Sequence, residues 1–475
     1  MVIVFVLVAL LVLGVLAAAN RYLWQRLFRD TTRGPGPVRR AGAAVVAGGW
    51  VLAVAALVAE RAGAPFALQR ALAWPGFLWL ALSIYLLLAV LAGEAVRPLL
   101  HRLAGRRAHR SRPDPTPRPT ARPHPAAVPG HPSGTAGPAH APDRPALTAP
   151  AGPPGRRDLP EAAAATAGST GAAGAAEASG DARAAGAGPE AGPVAVPAAA
   201  APSRRLFVSR AVAGTAAAVA VGTVGYGTYG VLRGPRVKRI TVPLARLPRA
   251  AHGFRITVVS DIHLGPILGR DFAQRVVDTV NATSPDLIAV VGDLVDGSVK
   301  DLGPAAAPLA QLRARHGAYF VTGNHEYFSG AEQWVEQVRR LGLHPLQNAR
   351  TEMPFFDLAG VNDLQGASEG QGPDFARALD GRDTARACVL LAHQPVQIHE
   401  SVRHGVDLQL SGHTHGGQLW PGNLLAAAAN PTVAGLERYG DTQLYVTRGA
   451  GAWGPPTRVG APSDVTVVQL ASLQA

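Results

Sequence analysis

The chain has 475 residues, of which 45 are Lys or Arg and 32 are Asp or Glu, and its formal net charge is +13. The basic residues cluster beside apolar segments and in a segment of low complexity, without interleaved aromatic residues, so this charge does not predict nucleic-acid binding and we expect no nucleic-acid partner. The one cysteine, Cys388, excludes an intramolecular disulfide, and its place inside an apolar run indicates a core thiol.

Three apolar segments dominate residues 1–101. They cover residues 2–19, 41–59 and 74–93, and each approaches the ~20 residues that a helix needs to cross a bilayer. The first has no basic region before it and is followed by arginines, which favours a retained membrane helix over a cleaved signal peptide. We therefore predict three transmembrane helices in this part of the chain.

Residues 102–202 are rich in Ala, Pro, Gly and Arg and contain almost no large apolar side chains. Such a segment cannot bury enough surface to offset its chain entropy, so we predict a disordered linker. Its arginines either contact anionic membrane lipids or, as we favour, reflect the Arg-rich composition of the whole chain.

Residues 203–233 combine two membrane-related signals. Ser203-Arg204-Arg205 resembles a twin-arginine export motif and predicts the twin-arginine translocase as a partner; the alternative is an ordinary basic flank. Residues 211–232 are apolar but rich in Ala and Gly, and we predict a fourth transmembrane helix there; the alternative is a buried core helix.

The arginines predict an orientation. Six of them follow the first apolar segment, six follow the third, and only Arg61 and Arg70 lie between the second and third. Positively charged connections stay in the cytoplasm, so we predict a multi-pass protein of the cytoplasmic membrane with residues 234–475 outside the cytoplasm. Arginines and a lysine also follow the fourth segment, on the side predicted to be outside the cytoplasm, and they weaken this prediction; they are Arg233, Arg236, Lys238 and Arg239.

Residues 234–475 alternate apolar runs with amphipathic stretches, which predicts an α/β domain with two groups of strands. Five short apolar runs each end at a polar or Gly-containing motif. They lie at 255–260, 286–291, 318–322, 388–392 and 406–410. Further strands are predicted at 355–361, 443–447 and 465–470, and helices at 272–282, 302–315, 331–341 and 396–404.

The motifs at these strand ends contain residues that bind metals. They are Asp261-x-His263, Gly292-Asp293, Gly323-Asn324-His325-Glu326, His393 and Gly412-His413-x-His415. Each motif alone is more often a solvated or capped turn than a metal site, but open α/β sheets gather the carboxyl ends of their strands at one edge. Mixed oxygen and nitrogen ligands suit Mn, Fe or Zn, so we predict a site for two divalent metal ions there.

In order and spacing, these motifs resemble those of the calcineurin-like metallophosphoesterase superfamily over residues 239–473. The resemblance implies a four-layer αββα sandwich, preceded here by the transmembrane helices and the linker. It implies one metal bound by Asp261, His263, Asp293 and His415, and a second bound by Asp293, Asn324, His393 and His413. It also implies that His325 acts on the leaving group or the phosphoryl oxygens without binding metal. Asp296 either hydrogen-bonds a ligand or caps its turn.

The short catalytic domain behind membrane helices resembles a membrane-anchored bacterial branch of this superfamily, similar to exported envelope phosphoesterases and UDP-diacylglucosamine pyrophosphatases. This implies hydrolysis of a phosphoester or pyrophosphate bond by a metal-bridging hydroxide, on a phosphorylated envelope or lipid-linked substrate. The alternative is a catalytically weak metal-binding sensor or scaffold at the membrane. Trp420 and Trp453 stand in Gly-rich runs that either border the site or pack elsewhere.

Overall fold

The computed structural model describes residues 2–110 and 203–474. The predicted linker lies outside the described residues from 111 to 202. Its first residues do not form a linker, because the third apolar helix continues to Arg110.

Four long apolar helices occupy the described part of the first 232 residues. They are α1 (Val2–Trp24), α2 (Pro37–Arg61), α3 (Phe66–Arg110) and α4 (Arg204–Leu232). Each contains a stretch long and apolar enough to cross a membrane, and the three predicted segments of residues 1–101 and the fourth at 211–232 lie inside them. Residues 62–65 join α2 to α3 in a short turn, so these two helices form a hairpin.

The rest of the described chain contains two six-stranded sheets. The first sheet has the order β1-β12-β2-β3-β4-β5. Its strands are β1 (Arg236–Leu244), β2 (Arg255–Val259), β3 (Leu287–Val291), β4 (Ala318–Val321), β5 (His344–Pro345) and β12 (Asp464–Ser472). Strands β2 to β5 are parallel, whereas β12 pairs antiparallel with β2.

The second sheet has the order β10-β11-β9-β8-β7-β6. Its strands are β6 (Ala349–Glu352), β7 (Phe356–Gly360), β8 (Ala387–Leu391), β9 (Leu408–Ser411), β10 (Gly435–Tyr439) and β11 (Thr442–Val446). The four central strands are parallel, and β6 and β10 are antiparallel edges.

Seven helices accompany the sheets. They are α5 (Arg270–Asn281), α6 (Val299–Ala306), α7 (Asn324–Ser329), α8 (Ala331–Arg340), α9 (Phe375–Leu379), α10 (Ile398–Arg403) and α11 (Gly422–Ala429). The predicted helix at 302–315 was too long. The observed helix begins at Val299 and ends at Ala306, where a 3-10 turn containing Pro308 follows, because Pro308 has no N–H group with which to continue the α-helical hydrogen bonds.

Alternating side chains of each inner strand enter two different cores. In β3, Leu287 and Ala289 pack in the cluster between the two sheets, whereas Ile288 and Val290 pack against α5 and α8. In β8, Leu390 points away from the other sheet, toward α9. Successive side chains of a strand face opposite sides, so a run that is apolar throughout is buried on both faces.

Candidate metal centre

The parallel strands of both sheets direct the polar motifs to one place. Asp261 and His263 follow β2, Asp293 follows β3, and Asn324 begins α7 directly after β4. From the second sheet, His393 follows β8, while His413 and His415 follow β9. Parallel strands present their carboxyl ends at the same edge, which explains why residues distant in sequence become neighbours.

Asp261, His263 and His415 form the first group of potential metal ligands, and they are buried. The Nε2 atoms of His263 and His415 lie 3.0 Å apart. Nε2 of His415 is also 3.3 Å from Oδ1 of Asp261. Three donor atoms therefore converge on one point.

Asp293, His393 and His413 form the second group. Nε2 of His393 lies 3.1 Å from Oδ2 of Asp293, and Nδ1 of His413 lies 3.0 Å from Oδ1 of Asn324. The same Oδ2 of Asp293 is 3.7 Å from Nε2 of His263 in the first group. Asp293 is thus positioned between the two groups, where the resemblance requires a bridging carboxylate.

These donors fit divalent cations. Nε2 of His393 is buried and has no hydrogen-bond partner of acceptable geometry, a costly state for a polar atom unless a ligand satisfies it. Burial and neighbouring charges, which include Arg458, lower the pKa of His415. Burial also lowers the pKa of His413, to about 4. Both rings are therefore neutral near pH 7, as metal binding by imidazole requires.

The backbone at the site is held in an unusual conformation. Asp261, His263, Asp293, His413 and His415 have positive φ angles between 49° and 71°. This left-handed region is sparsely populated by residues other than glycine, and each instance costs about 1–3 kcal/mol unless the surrounding structure enforces it. Strain concentrated on five candidate ligands indicates that the loops are shaped for their side chains.

Two glycines allow the loops to approach each other. A Cβ atom at Gly412 would overlap the side chains of Ser260 and Asp261, and one at Gly323 would overlap Asp293. These close approaches explain the Gly-containing motifs at the ends of β9 and β4.

Asp296 connects two of the histidines. Its Oδ1 lies 2.9 Å from Nδ1 of His263 and 2.7 Å from Nδ1 of His325. Burial alone would lower the pKa of His325, but the hydrogen bond and charge of Asp296 outweigh it and raise that pKa to about 9. Of the two sequence interpretations of Asp296, the structure supports the contact with a candidate ligand.

Two further residues support the site, and sequence reasoning assigned them no role. The fully buried carboxylate of Glu326 accepts hydrogen bonds from the backbone N–H groups of Gly323, Asp293 and Leu294, at 2.6, 3.0 and 2.8 Å. Arg458 is buried and donates to the carbonyl oxygen of His415 at 3.0 Å, with its other guanidinium nitrogen 3.1 Å from the ring Nδ1. Glu326 stood inside a quoted motif, whereas no local signal marked Arg458.

A cavity of about 290 Å³ adjoins His325 and is lined in part by the α2–α3 hairpin. The hairpin contributes Glu60, Arg61 and Phe66, and the part of the chain that contains the two sheets (residues 234–474) contributes Asp296, Phe328 and Trp453, among others. The guanidinium of Arg61 lies 5.7 Å from the Phe328 ring centroid, and the Trp453 ring lies 5.6 Å from that of His325. The hairpin and the candidate metal centre therefore lie side by side.

Similarity to known proteins agrees with these observations. The family model described as calcineurin-like phosphoesterase matches residues 254–417. An uncharacterized metallophosphoesterase of Aquifex aeolicus is 34% identical over 240 residues, which cover 50% of this chain and 91% of that protein.

Two vertebrate relatives are called transmembrane proteins with a metallophosphoesterase domain. The Danio rerio protein is 40% identical, with 52% of this chain and 59% of that protein covered; the Bos taurus protein is 38% identical, with 50% and 58% covered. The chain thus spans about three-fifths of the length of these relatives. Among solved structures, a dimetal phosphatase from Danio rerio has 12% identity and a TM-score of 0.31, with 45% of this chain and 91% of that protein covered.

Proposed function

We propose that this chain, which belongs to the calcineurin-like phosphoesterase family, is a phosphoester hydrolase of a membrane. The reaction is metal-dependent hydrolysis of a phosphoester or pyrophosphate bond in a lipid-linked or cell-envelope substrate. The observation that carries the proposal is the position of Asp293 between the two donor groups, and a cavity at His325 that the α2–α3 hairpin helps to line supports it.

Seven residues would hold two divalent cations, which we propose to be Mn, Fe or Zn. Asp261, His263 and His415 would bind one, Asn324, His393 and His413 the other, and Asp293 both. Cations bound there would activate water as the nucleophile and neutralise charge on the phosphoryl group. We interpret the stacked helices and sheets around the site as the four-layer αββα sandwich.

His325 would act on the leaving group. Asp296 holds its Nδ1, so the ring is oriented and its other nitrogen is available to donate a proton to the departing oxygen. Asp296 also holds His263, so it would couple the orientation of the acid to that of the metal ligands.

The surroundings of the cavity support a substrate at the membrane. Glu60, Arg61 and Phe66 belong to helices that can span a bilayer, so a molecule in the cavity contacts both the hairpin and the catalytic residues. The hairpin turn and the catalytic part (residues 234–474) must then lie on the same side of the membrane. We propose a multi-pass arrangement in the cytoplasmic membrane with this side extracytoplasmic, reached with help from the twin-arginine translocase.

The test uses the full-length chain in lipid nanodiscs with Mn²⁺, Fe²⁺ or Zn²⁺. We expect turnover of p-nitrophenyl phosphate, bis(p-nitrophenyl) phosphate or a long-chain lipid pyrophosphate, and loss of that turnover after treatment with a chelator. Glu352→Gln, an exposed substitution outside the site, is the control and should behave as wild type. Metals bound without turnover of any of these substrates would reject the enzymatic proposal and favour the sensor or scaffold.

A further inference from the structure

The segment at residues 419–429 follows the last candidate ligands and exposes a set of large apolar side chains. It contains the end of the Gly-rich run and helix α11, whose sequence is GNLLAAAA. Leu424 and Leu425 have exposed fractions of 66% and 77%, and Trp420 has 53%. Exposed apolar side chains grouped in one segment indicate a surface that binds an apolar partner.

This segment contacts the apolar helices directly. The Tyr85 hydroxyl in α3 donates a hydrogen bond of 3.0 Å to the carbonyl oxygen of Trp420. Leu419 and Val459 pack against a cluster that contains Tyr85 from α3 and Val224 from α4. The start of this segment, directly before α11, is therefore packed on helices that can span a membrane.

The depth of the contact follows from the polar residues of the bundle. Ion pairs join Glu94 to Arg26 at 3.3 Å and to Arg97 at 2.9 Å. These charged residues mark one boundary of the apolar region of the helices. At a rise of about 1.5 Å per residue, Tyr85 lies about 14 Å along α3 from Glu94, whereas a hydrocarbon core of about 30 Å would extend to the level of Trp74. Tyr85 and its partner Trp420 thus lie within the expected hydrocarbon layer.

The backbone of the segment suits that environment. The N–H group of Trp420 donates to the carbonyl of Val459 at 2.9 Å, and the N–H group of Val459 donates to that of Gln418 at 2.8 Å. Tyr85 satisfies the carbonyl of Trp420. Non-helical backbone at membrane depth is stable only where such polar groups find partners within the protein.

We propose that residues 419–429 are inserted in the hydrocarbon core of the membrane, where the lipid acyl chains cover Trp420, Leu424 and Leu425. The inserted segment is joined closely to the metal centre, because a Cβ atom at Gly417, two residues after His415, would overlap the backbone of Asn423 in α11. Insertion therefore opens the catalytic edge toward lipid. This consequence for the substrate rests on the proposed function, whereas the insertion itself does not.

The first experiment measures the insertion. Leu425→Cys in the full-length chain is labelled with bimane and reconstituted in phosphatidylcholine vesicles, with some lipids brominated on their acyl chains. The matched control is Leu473→Cys, a similarly exposed leucine (65%) beside the polar residues Arg246 and Asp441. Labelled wild type measures the background, since its one cysteine, Cys388, is buried. We expect several-fold stronger quenching at position 425 than at 473. Equal quenching at the two positions would overturn the proposal. It is the result expected if water or a second copy of the chain, and not lipid, covers α11.

The second experiment measures the consequence for substrate. The double substitution Leu424→Asp with Leu425→Asp should lower hydrolysis of a long-chain lipid pyrophosphate in vesicles by roughly tenfold or more, because charged side chains are strongly disfavoured within a bilayer. Turnover of water-soluble p-nitrophenyl phosphate should stay as in wild type, which also shows that the variant is folded. Equal rates of the variant and wild type on both substrates would overturn the lipid-facing role. No turnover by wild type would instead reject the proposed function and leave the quenching result standing.

Discussion

Replacement of Glu326 tests whether one buried carboxylate holds together the loops that carry the candidate ligands. Glu326 is 0% exposed, and its two oxygens accept three backbone N–H groups from the loops after β3 and β4. Glu326→Ala leaves these three donors buried without partners. Glu326→Gln keeps one oxygen, which can still accept from Gly323 and Asp293, but it places an amide NH₂ group against the N–H of Leu294.

The size of each effect follows from these contacts. A buried donor left without a partner costs about 1–3 kcal/mol, so stranding all three should lower the free energy of unfolding of the catalytic part by about 4–6 kcal/mol even with partial relaxation. That loss approaches the whole stability of a small domain, about 5–15 kcal/mol. Losing one bond in the Gln variant should cost about 2 kcal/mol. Water that enters the space left by the side chain in Glu326→Ala would hydrogen-bond the three donors. The free energy of unfolding would then fall only by the lower end of the range given for this variant.

The assay is urea unfolding of the full-length protein in detergent, followed by fluorescence of tryptophan, with metal content measured by elemental analysis. The transition of interest is that of the catalytic part, where Trp334 is fully buried. We expect the urea concentration at the midpoint of unfolding and the amount of bound metal to fall from wild type to Glu326→Gln, and to fall further in Glu326→Ala. The control Glu352→Gln should match wild type in both measurements. An Ala variant that unfolds at the wild-type urea concentration and keeps its metal would refute this account of the loops.

Four further predictions address the site and the membrane arrangement. Asp293→Ala should empty both metal positions and abolish activity, and elemental analysis that finds two metals per chain would contradict its bridging place. His325→Ala should keep the metal content while kcat falls roughly 10²–10⁴-fold, with a smaller loss for p-nitrophenyl phosphate, whose leaving group needs little protonation. Metal loss on this substitution, or equal losses for leaving groups of very different pKa, would count against a proton donor. Arg458→Met should weaken metal binding by about 10–100-fold, as measured by titration with Mn²⁺, because His415 loses its orienting partner; unchanged affinity would show that the ring is held by other contacts. A reporter active only in the cytoplasm, fused after Ala475, should be silent, and a strong signal would reverse the proposed orientation.

Local patterns in the sequence were sufficient to locate the candidate site. Each of five apolar runs ended at a polar motif, and the structure brings Asp261, His263, Asp293, His393 and their partners together at those strand ends. Burial on both faces makes inner strands apolar throughout, and parallel pairing places their carboxyl ends at one edge. Helix bounds were less accurate, because the turn at Pro308 ended α6 earlier than periodicity indicated.

The amino-acid sequence by itself determined the apolar helices, the strand-end motifs and the type of chemistry, because these depend on residues that are neighbours in the chain. Only the tertiary structure showed that Arg458 reaches His415, that the α2–α3 hairpin lines the cavity beside His325, and that Tyr85 holds Trp420. The last of these contacts joins residues 335 positions apart. No local periodicity or motif encodes such a contact, since it exists only when packing brings the two segments together.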